Sequence, residues 1–240
     1  MELPVTTSYH LSPHTFACLS GRYCMFLDIK LDRYISVPRE AMEALSPWIH
    51  NWQLTPRYPA STDIPSQTTA TLAEELLAAG VLTNEPHATE ESTYTAPTPD
   101  RDLTSVAPEI VNTGTIGAFC LATGALLYAS LELRAATMTR IIATARKRKH
   151  SLPVGSKDLN LTAALTTIFL KYRPLFPRNY RCLFDSLALL HFLSYFSLHP
   201  DWVFGVQDEP FSAHCWLQSD TLVLNDHLDH ISTYTPIMTV

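Results

Sequence analysis

The sequence predicts an α+β fold, because strand-like segments come first, helix-like segments follow them, and a second set of helices precedes a second set of strands. A polar segment with prolines and no apolar periodicity separates the two sets. A chain of 240 residues is long enough to fold as two domains. We therefore predict a small domain over residues 1–83, a flexible linker over 84–107 and a larger domain over 108–240.

The composition indicates a globular protein that stays in the cytoplasm. Apolar residues make up 46% and charged residues 17% of the chain, and a net charge of −6 gives no reason to expect nucleic acid as a partner. The first residues, MELPVTTSYHLSPH, lack the basic start and the apolar segment of a secretion signal. The five cysteines are odd in number and form no CxxC pair, so we expect free thiols.

Three short strands are predicted at the start of the first domain. Residues 14–37, HTFACLSGRYCMFLDIKLDRYISV, are rich in Phe, Tyr, Val and Ile. Ser20-Gly21 and Leu31-Asp32 are suited to the two turns between the strands.

Two helices are predicted to follow these strands. The first begins at Pro38 in PREAMEALSPWIHNW, where apolar residues at Met42, Leu45 and Ile49 keep a helical spacing. The second lies in TATLAEELLAAGVL and ends near Gly80.

The second domain is predicted to open with one long helix over about 112–147, which ends in the basic run RKRK. Residues 110–131 carry no charge, but threonines, glycines and an asparagine dilute this stretch, so we interpret it as a core helix and expect no membrane span. Helical segments follow in LNLTAALTTIFLKYRPLF and in RCLFDSLALL, which begins at Arg181. WVFGV, HCWLQ and TLVLN predict antiparallel strands.

Cys182 is a candidate nucleophile because it lies at the predicted start of a helix. Pro174 and Pro177 prevent an unbroken helix upstream, and Asn179 is predicted to cap the new one. A helix amino terminus together with an imidazolium lowers a thiol pKa from about 8.5 to as little as ~3.5. The alternative is a packed, inert thiol, which is the commoner role of a buried cysteine.

His214 and Asp226 are the candidate partners of this thiol. His214 lies on a predicted strand and Asp226 ends the next one, so a returning strand and a hairpin can bring all three side chains together. In such a set the histidine takes the thiol proton and the carboxylate fixes the ring. Trp216, on the same strand face as His214, is placed to shield the pair from water. Cys215 points to the other face and is interpreted as a packed thiol.

Other motifs are weaker. His227 and His230 have a spacing found in metal sites, but no second Cys or His pair accompanies them, so we predict no metal. GTIG, which begins at Gly114, is too short for a phosphate loop.

The chain over about 180–238 contains the segments YRCLFDSLALLHFL, FGV, PFSAHCWLQ, LVLND and YTPIM. In this order they resemble the carboxy-terminal domain of the lasso peptide leader peptidases. These B proteins of lasso peptide maturation have a papain/transglutaminase-like cysteine protease core. The resemblance implies that Cys182 is the nucleophile, His214 the general base and Asp226 the orienting acid. The family's usual small residue between the His and the Trp is Cys215 here.

The first domain resembles, in the order of its strands and helices, the PqqD-like element, a small winged-helix-like domain that recognises the leader of a precursor peptide. In that family the leader lies as an added strand against the third strand and packs on the last helix. The resemblance places the leader-binding groove at Tyr34, Ile35, Val37, Leu72 and Leu76. A flexible linker would keep the bound precursor at a high effective concentration near the peptidase.

The resemblance implies an ATP-dependent peptidase that cuts a lasso precursor after a leader whose penultimate residue is threonine. The core peptide then passes to an asparagine-synthetase-like lactam synthetase. No cofactor-binding motif accounts for the ATP requirement, which is assigned to the complex with this partner. Two alternatives stay open: a thiol acyltransferase of transglutaminase type, and a non-catalytic protein that delivers the precursor.

Overall fold

The chain folds into two compact units. The first comprises Met1–Tyr94 with Val206–Ser212, and the second comprises Thr95–Gly205 with Ala213–Val240. The computed structural model describes residues 8–50, 52, 54, 67–86, 96–106, 115–150 and 158–240.

A three-stranded antiparallel sheet followed by two helices forms most of the first unit. Its elements are β1 His10–Leu11, β2 Thr15–Ser20, β3 Tyr23–Asp28, β4 Arg33–Pro38, α1 Arg39–Leu45, α2 Gln67–Ala78 and β5 Leu82–Thr83. Strands β2, β3 and β4 are neighbours in that order, and β1 pairs with β5. The three predicted strands and their turns are confirmed, with Gly21 and Asp32 both at a φ of 50°.

The two helices end where proline and glycine require it. Pro47 has no backbone N–H and restricts Ser46, so α1 gives way to a 3₁₀ turn over Ser46–Trp48 and is shorter than predicted. Gly80 ends α2 as predicted, with a φ of 72°. The Gly80 N–H donates to the Leu77 carbonyl and the Val81 N–H to the Leu76 carbonyl, both at a distance of 2.9 Å. This pair of bonds is a Schellman cap.

The second unit places helices before most of its strands. Its elements are β6 Arg101–Asp102, α3 Thr115–Ala135, α4 Met138–His150, α5 Leu159–Tyr172, α6 Cys182–Ser194, β7 Asp201–Gln207, β8 Ser212–Ser219, β9 Leu222–Val223, α7 Leu228–Ile231 and β10 Thr235–Thr239. The strands form one sheet in the order β10-β7-β8-β9-β6. The three predicted strands are β7, β8 and β9, whereas β6 and β10 were not predicted.

The long helix predicted over 112–147 is two helices, and its first residues, 112–114, lie outside the described part of the chain. The break falls before Thr137, whose hydroxyl oxygen accepts the Arg140 N–H at 3.4 Å, while its carbonyl accepts the Ile141 N–H at 3.1 Å. Threonine is a favoured N-cap residue because its side chain takes up an unpaired N–H of the first turn. The apolar pattern continues across this cap, so the sequence pattern does not reveal that one helix ends and another begins here.

The helix α3 packs on α5 and α6 through small residues. Its buried positions are Ala118, Ala122, Ala125, Leu126 and Ala129. By length and composition alone, Ile116–Ala135 could cross a membrane. Only 28% of its most apolar stretch is buried, so the expected core helix is buried along one face and exposed along the other. The expectation that the protein has no membrane partner therefore stays a prediction.

Part of the predicted flexible linker, 84–107, belongs to the sheet of the second unit. The strand β6 pairs in parallel with β9. The Asp102 carboxylate accepts the Leu228 N–H at 2.9 Å, and Gln218 Nε2 donates to the Pro97 carbonyl at 2.6 Å. A two-residue edge strand is too short to show an apolar periodicity, so no pattern in the sequence predicts it. Residues 87–95 and 107 lie outside the described ranges.

Candidate active site

Cys182 is the first residue of α6, with its side chain half-buried. The first N–H groups of a helix have no acceptor within the helix and carry the positive end of its dipole. A sulfur at this position therefore lies in a field that favours the thiolate over the neutral thiol. Phe184 and the residues from Ser186 to Leu193 are buried, and most of them are apolar, which anchors the helix that follows the thiol.

The segment before Cys182 is held by a buried arginine. Arg173 is 1% exposed, and its Nη2 donates to the carbonyls of Arg178 and Asn179 at 3.1 and 3.3 Å. The predicted cap by the Asn179 side chain is wrong, because the residue at the N-cap position is Arg181, without a side-chain cap bond.

The carboxylate of Asp185 takes over the function of that cap. One of its oxygens accepts the Arg181 N–H at 2.7 Å, and the other accepts from Arg173 Nε. The Arg173 guanidinium also lies over the Tyr180 ring, 4.3 Å from its centroid. Arg173 and Asp185 thus fix the backbone on both sides of the helix start, and with it the direction of the Cys182 side chain.

His214 lies on β8 beside this helix start. Its Nε2 is hydrogen-bonded to the Asp226 carboxylate, and its ring contacts the Cys182 side chain through a second hydrogen bond. Since Nε2 is engaged by the carboxylate, Nδ1 is the nitrogen that faces the sulfur. Trp216 stacks on the imidazole at 6.1 Å between centroids and 22° between planes, as its strand position predicted.

Asp226 follows β9 and precedes the short helix α7. Its carboxylate accepts the His227 N–H at 2.7 Å and contacts His230 Nδ1 at 2.9 and 3.1 Å, in addition to its bond with His214. The prediction assigned no role to His230 beyond a metal-like spacing with His227. Only the turn into α7 brings His230 to the same carboxylate, and the sequence pattern gave no sign of that turn.

Asn225 connects the three segments that carry Cys182, His214 and Asp226. Its Oδ1 accepts the Leu217 N–H of β8 at 2.7 Å, and its Nδ2 donates to Ser186 Oγ of α6 at 3.0 Å. Both side-chain atoms of one amide therefore fix the loop against the helix and the strand. The resemblance included Asn225 in a motif but gave it no role.

The charge state of Cys182 follows from its hydrogen bonds. Hydrogen bonds from the side chain and backbone of Cys215 and from His214, the first being the strongest, outweigh burial and lower the pKa of the Cys182 thiol to about 4. A sulfur that receives three donors is stabilised as the thiolate.

His214 and Asp226 are charged at neutral pH because their hydrogen bonds, like those of Cys182, outweigh the effect of burial. Burial lowers the pKa of His214, but hydrogen bonds to Asp226 and Cys182 outweigh it and raise the pKa to about 9. Burial raises the pKa of Asp226, but donors from His214, His227 and His230 hold that pKa at about 2. Cys182 and His214 therefore form a thiolate–imidazolium pair, with Asp226 as the carboxylate behind the ring.

Cys215 is buried as predicted, but it also contacts Cys182. Burial, together with the neighbouring Cys182 sulfur, raises the pKa of Cys215 well above its ordinary value, so this thiol keeps its proton and is a donor. Cys18 and Cys24 are also buried, in the first unit. Burial raises the pKa of Cys18 to about 12.

The five residues assigned to a leader-binding groove lie on β4 and α2. Val37 and Leu76 are buried in the core of the first unit, whereas Tyr34, Ile35 and Leu72 are partly exposed. Among the described strands, β4 is hydrogen-bonded only to β3, so its other edge carries backbone groups that no strand of this sheet uses. The groove itself stays a prediction.

A thiolate at a helix start, an imidazole on the adjacent strand and a carboxylate on the next loop define the class of thiol-dependent acyl-transfer sites. Residues 125–239, which include Cys182, His214 and Asp226, match the transglutaminase-like superfamily. This part of the chain is thus similar to transglutaminase-like domains, and the similarity is consistent with cysteine protease or acyltransferase activity. No curated protein and no solved structure matches the chain significantly.

Proposed function

We propose that the protein is a cysteine peptidase that removes the leader of a lasso peptide precursor, with Cys182, His214 and Asp226 as its catalytic triad. The observation that carries the proposal is the hydrogen-bonded series of these three side chains at the start of α6. The transglutaminase-like domain supports the type of reaction. The resemblance of the segments around these residues to lasso leader peptidases supports the substrate.

The reaction begins with attack by the Cys182 thiolate on the carbonyl carbon of the scissile peptide. The His214 imidazolium then donates its proton to the departing amine, so the C–N bond breaks and a thioester to the leader remains. His214, now neutral, takes a proton from water, and the resulting hydroxide equivalent releases the leader as a carboxylic acid. Asp226 holds the imidazole ring in one orientation through both steps.

The negative oxygen that develops on the carbonyl needs donors near the sulfur. The Cys182 backbone N–H belongs to the first turn of α6 and has no acceptor within the helix. We assign this N–H as one oxyanion donor, in line with the role of helix amino termini in such reactions.

Recognition of the leader is assigned to the first unit. An extended peptide can add to β4, the outer strand of the described sheet, by main-chain hydrogen bonds, while its apolar side chains contact Tyr34, Ile35 and Leu72. Val37 and Leu76 would support this surface from the core rather than line it. Binding of the leader to a unit of the same chain would raise its effective concentration at Cys182.

The core peptide is assigned to an asparagine-synthetase-like lactam synthetase, and ATP to the complex with this partner. Both assignments rest on the resemblance alone. They are tested by omitting ATP or the synthetase, one at a time, from the cleavage reaction.

A transglutaminase-type acyltransferase is the second candidate, and the superfamily match is consistent with it as well as with a peptidase. It shares the thioester intermediate, but an amine rather than water attacks it. An amine-linked product in place of a free leader carboxylate identifies this reaction by mass.

The test is to incubate the protein with its precursor, the synthetase and ATP, and to follow the peptide masses for wild type, Cys182→Ala and Cys215→Ala. We expect intact leader to be released by wild type and by Cys215→Ala but not by Cys182→Ala. Cleavage by Cys182→Ala would overturn the assignment of the nucleophile. If the precursor binds and no variant cleaves it, the protein delivers the precursor without processing it.

A further inference from the structure

Two imidazoles and a carboxylate meet on the side of His214 that is turned away from the sulfur. One ligand-type atom of each of His214, Asp226 and His230 lies within 4.8 Å of the other two. His230 Nδ1 is 2.9 Å from one Asp226 oxygen and 3.1 Å from the other, and His214 Nε2 bonds to the same carboxylate.

This set of atoms has the chemistry and nearly the geometry of a zinc site. Zn²⁺ takes imidazole nitrogen and carboxylate oxygen at ~2.0–2.2 Å in tetrahedral sites, which places neighbouring ligand atoms roughly 3.3 Å apart. Small side-chain rotations bring the three atoms to that spacing. Mg²⁺ and Ca²⁺ prefer all-oxygen sites, so a site with two nitrogens discriminates against them.

The fold holds these three ligands in place before any ion arrives. His214 is fixed on β8, and α7 places His230 one turn after Asp226. The side chains of His214 and Asp226 are 14% and 12% exposed, whereas that of His230 is 51% exposed. An ion can therefore enter from the solvent on the His230 side, without passing Cys182.

We propose that His214, Asp226 and His230 form an inhibitory site for a borderline divalent ion, foremost Zn²⁺, with water completing its coordination. Binding forms bonds from the ion to His214 Nε2, His230 Nδ1 and an Asp226 oxygen. It breaks the hydrogen bond between His214 and Asp226 and releases the Nε2 proton to solvent. The metal-bound ring keeps its Nδ1 proton, but the loss of that proton would leave an imidazolate. The ring is therefore a much weaker acid than the imidazolium and donates poorly to the departing amine. The inhibition rests on the proposed peptidase function, but the binding of the ion does not.

The binding test is a titration with Zn²⁺ against a competing chromophoric chelator, and with Co²⁺ followed by absorption. Wild type is compared with His230→Gln, with Cys182→Ala and with His227→Gln. His227 is a matched control because its side chain is 72% exposed and faces Asp102, 3.8 Å away.

We expect one equivalent of Zn²⁺ to bind, with affinity at least about 10-fold lower in His230→Gln and unchanged in the other two variants. The Co²⁺ complex should lack the sulfur-to-cobalt charge-transfer band, because the sulfur is not a ligand. A sulfur-to-cobalt band that disappears in Cys182→Ala would place the ion between Cys182 and His214. A Zn²⁺ affinity that His230→Gln leaves unchanged would show that His230 is not a ligand. Either result would overturn the proposed site. Absence of saturable binding would overturn it as well.

The activity test compares each protein with its own rate in the absence of metal. Zn²⁺ should abolish precursor cleavage by wild type, EDTA should restore it, and His230→Gln should need at least about 10-fold more Zn²⁺ for the same inhibition. Saturating Zn²⁺ that leaves cleavage unchanged would refute the inhibitory role. If Zn²⁺ binds as described but metal-free wild type cleaves no precursor, the peptidase proposal fails and the metal site stands.

Discussion

The thiol of Cys215 lies within hydrogen-bonding reach of the Cys182 sulfur, although neighbouring side chains on a strand point to opposite faces and His214 reaches the same sulfur. This bond contributes most to the low pKa of Cys182, ahead of the bond from His214. Because burial keeps the Cys215 thiol protonated, this thiol stabilises the negative charge on the Cys182 sulfur.

The first prediction concerns Cys215. Replacement by alanine removes the S–H donor but keeps the backbone donor, so the pKa of Cys182 should rise and thiolate should form only at higher pH. A hydrogen bond to a charged group contributes about 1.5–3 kcal/mol, which is roughly 10–100-fold in thiolate fraction at acid pH. The measurement is the rate of Cys182 alkylation against pH, with Cys215→Ser as the control that keeps an O–H donor. Superimposable profiles for wild type and Cys215→Ala would contradict the role of this thiol.

The second prediction is a bell-shaped dependence of cleavage on pH. Below about pH 4 the Cys182 sulfur is protonated and cannot attack, so the rate falls as the pH is lowered. Above about pH 9 His214 has lost the proton that the departing amine needs, so the rate falls again as the pH is raised. The two limbs belong to the coupled pair rather than to either residue alone. A profile of kcat/KM that rises only near pH 8 would exclude a preformed ion pair.

The third prediction concerns the arginine behind the helix start. Arg173→Ala removes the buried member of the pair and leaves the half-buried Asp185 carboxylate without its partner. The loss of one member of a buried pair costs about 3–5 kcal/mol. Urea denaturation measures this change in the free energy of unfolding. Arg181→Ala is the control because its exposed side chain makes no cap bond, and we expect it to stay within about 0.5 kcal/mol of wild type. Equal stabilities of the two variants would show that Arg173 does not hold this segment.

The fourth prediction concerns Asn225, which touches none of the reacting atoms in the proposed mechanism. Asn225→Ala removes the two bonds that fix the Asp226 loop against Leu217 and Ser186. A displacement of about 1 Å costs roughly 100-fold in rate, so kcat should fall by about 10–100-fold with little change in KM. Ser232→Ala, in the same segment, is the control. Loss of binding with kcat preserved would contradict a positioning role.

Strands β2, β3 and β4 of the first unit and β7, β8 and β9 of the second were predictable, because their periodicity and turn residues agree with the fold. His214 and Trp216 were placed on one strand face by the alternation of β8 alone. The cap at Thr137 was not predictable, since the apolar pattern continues through it. The edge strand β6 is too short to have a pattern.

The hydrogen bonds around the candidate site could not be predicted from the sequence either. The bonds of Arg173, Asn225 and His230 depend on loops whose path is set by tertiary contacts rather than by local preference. Cys215 was assigned correctly to the opposite strand face, but no periodicity reveals that a side chain on that face reaches the first turn of α6.

At the start of α6, Cys182 is a thiolate held by His214. The most direct measurement is alkylation with iodoacetamide at pH 6, quantified for each cysteine by peptide mass, in wild type and in His214→Ala. The account predicts that Cys182 reacts ahead of the exposed Cys120 in wild type and that His214→Ala removes much of this advantage. If Cys182 reacts no faster than Cys120 at pH 6, and its rate rises only toward the ordinary thiol pKa of about 8.5, Cys182 is a packed thiol and the account is wrong.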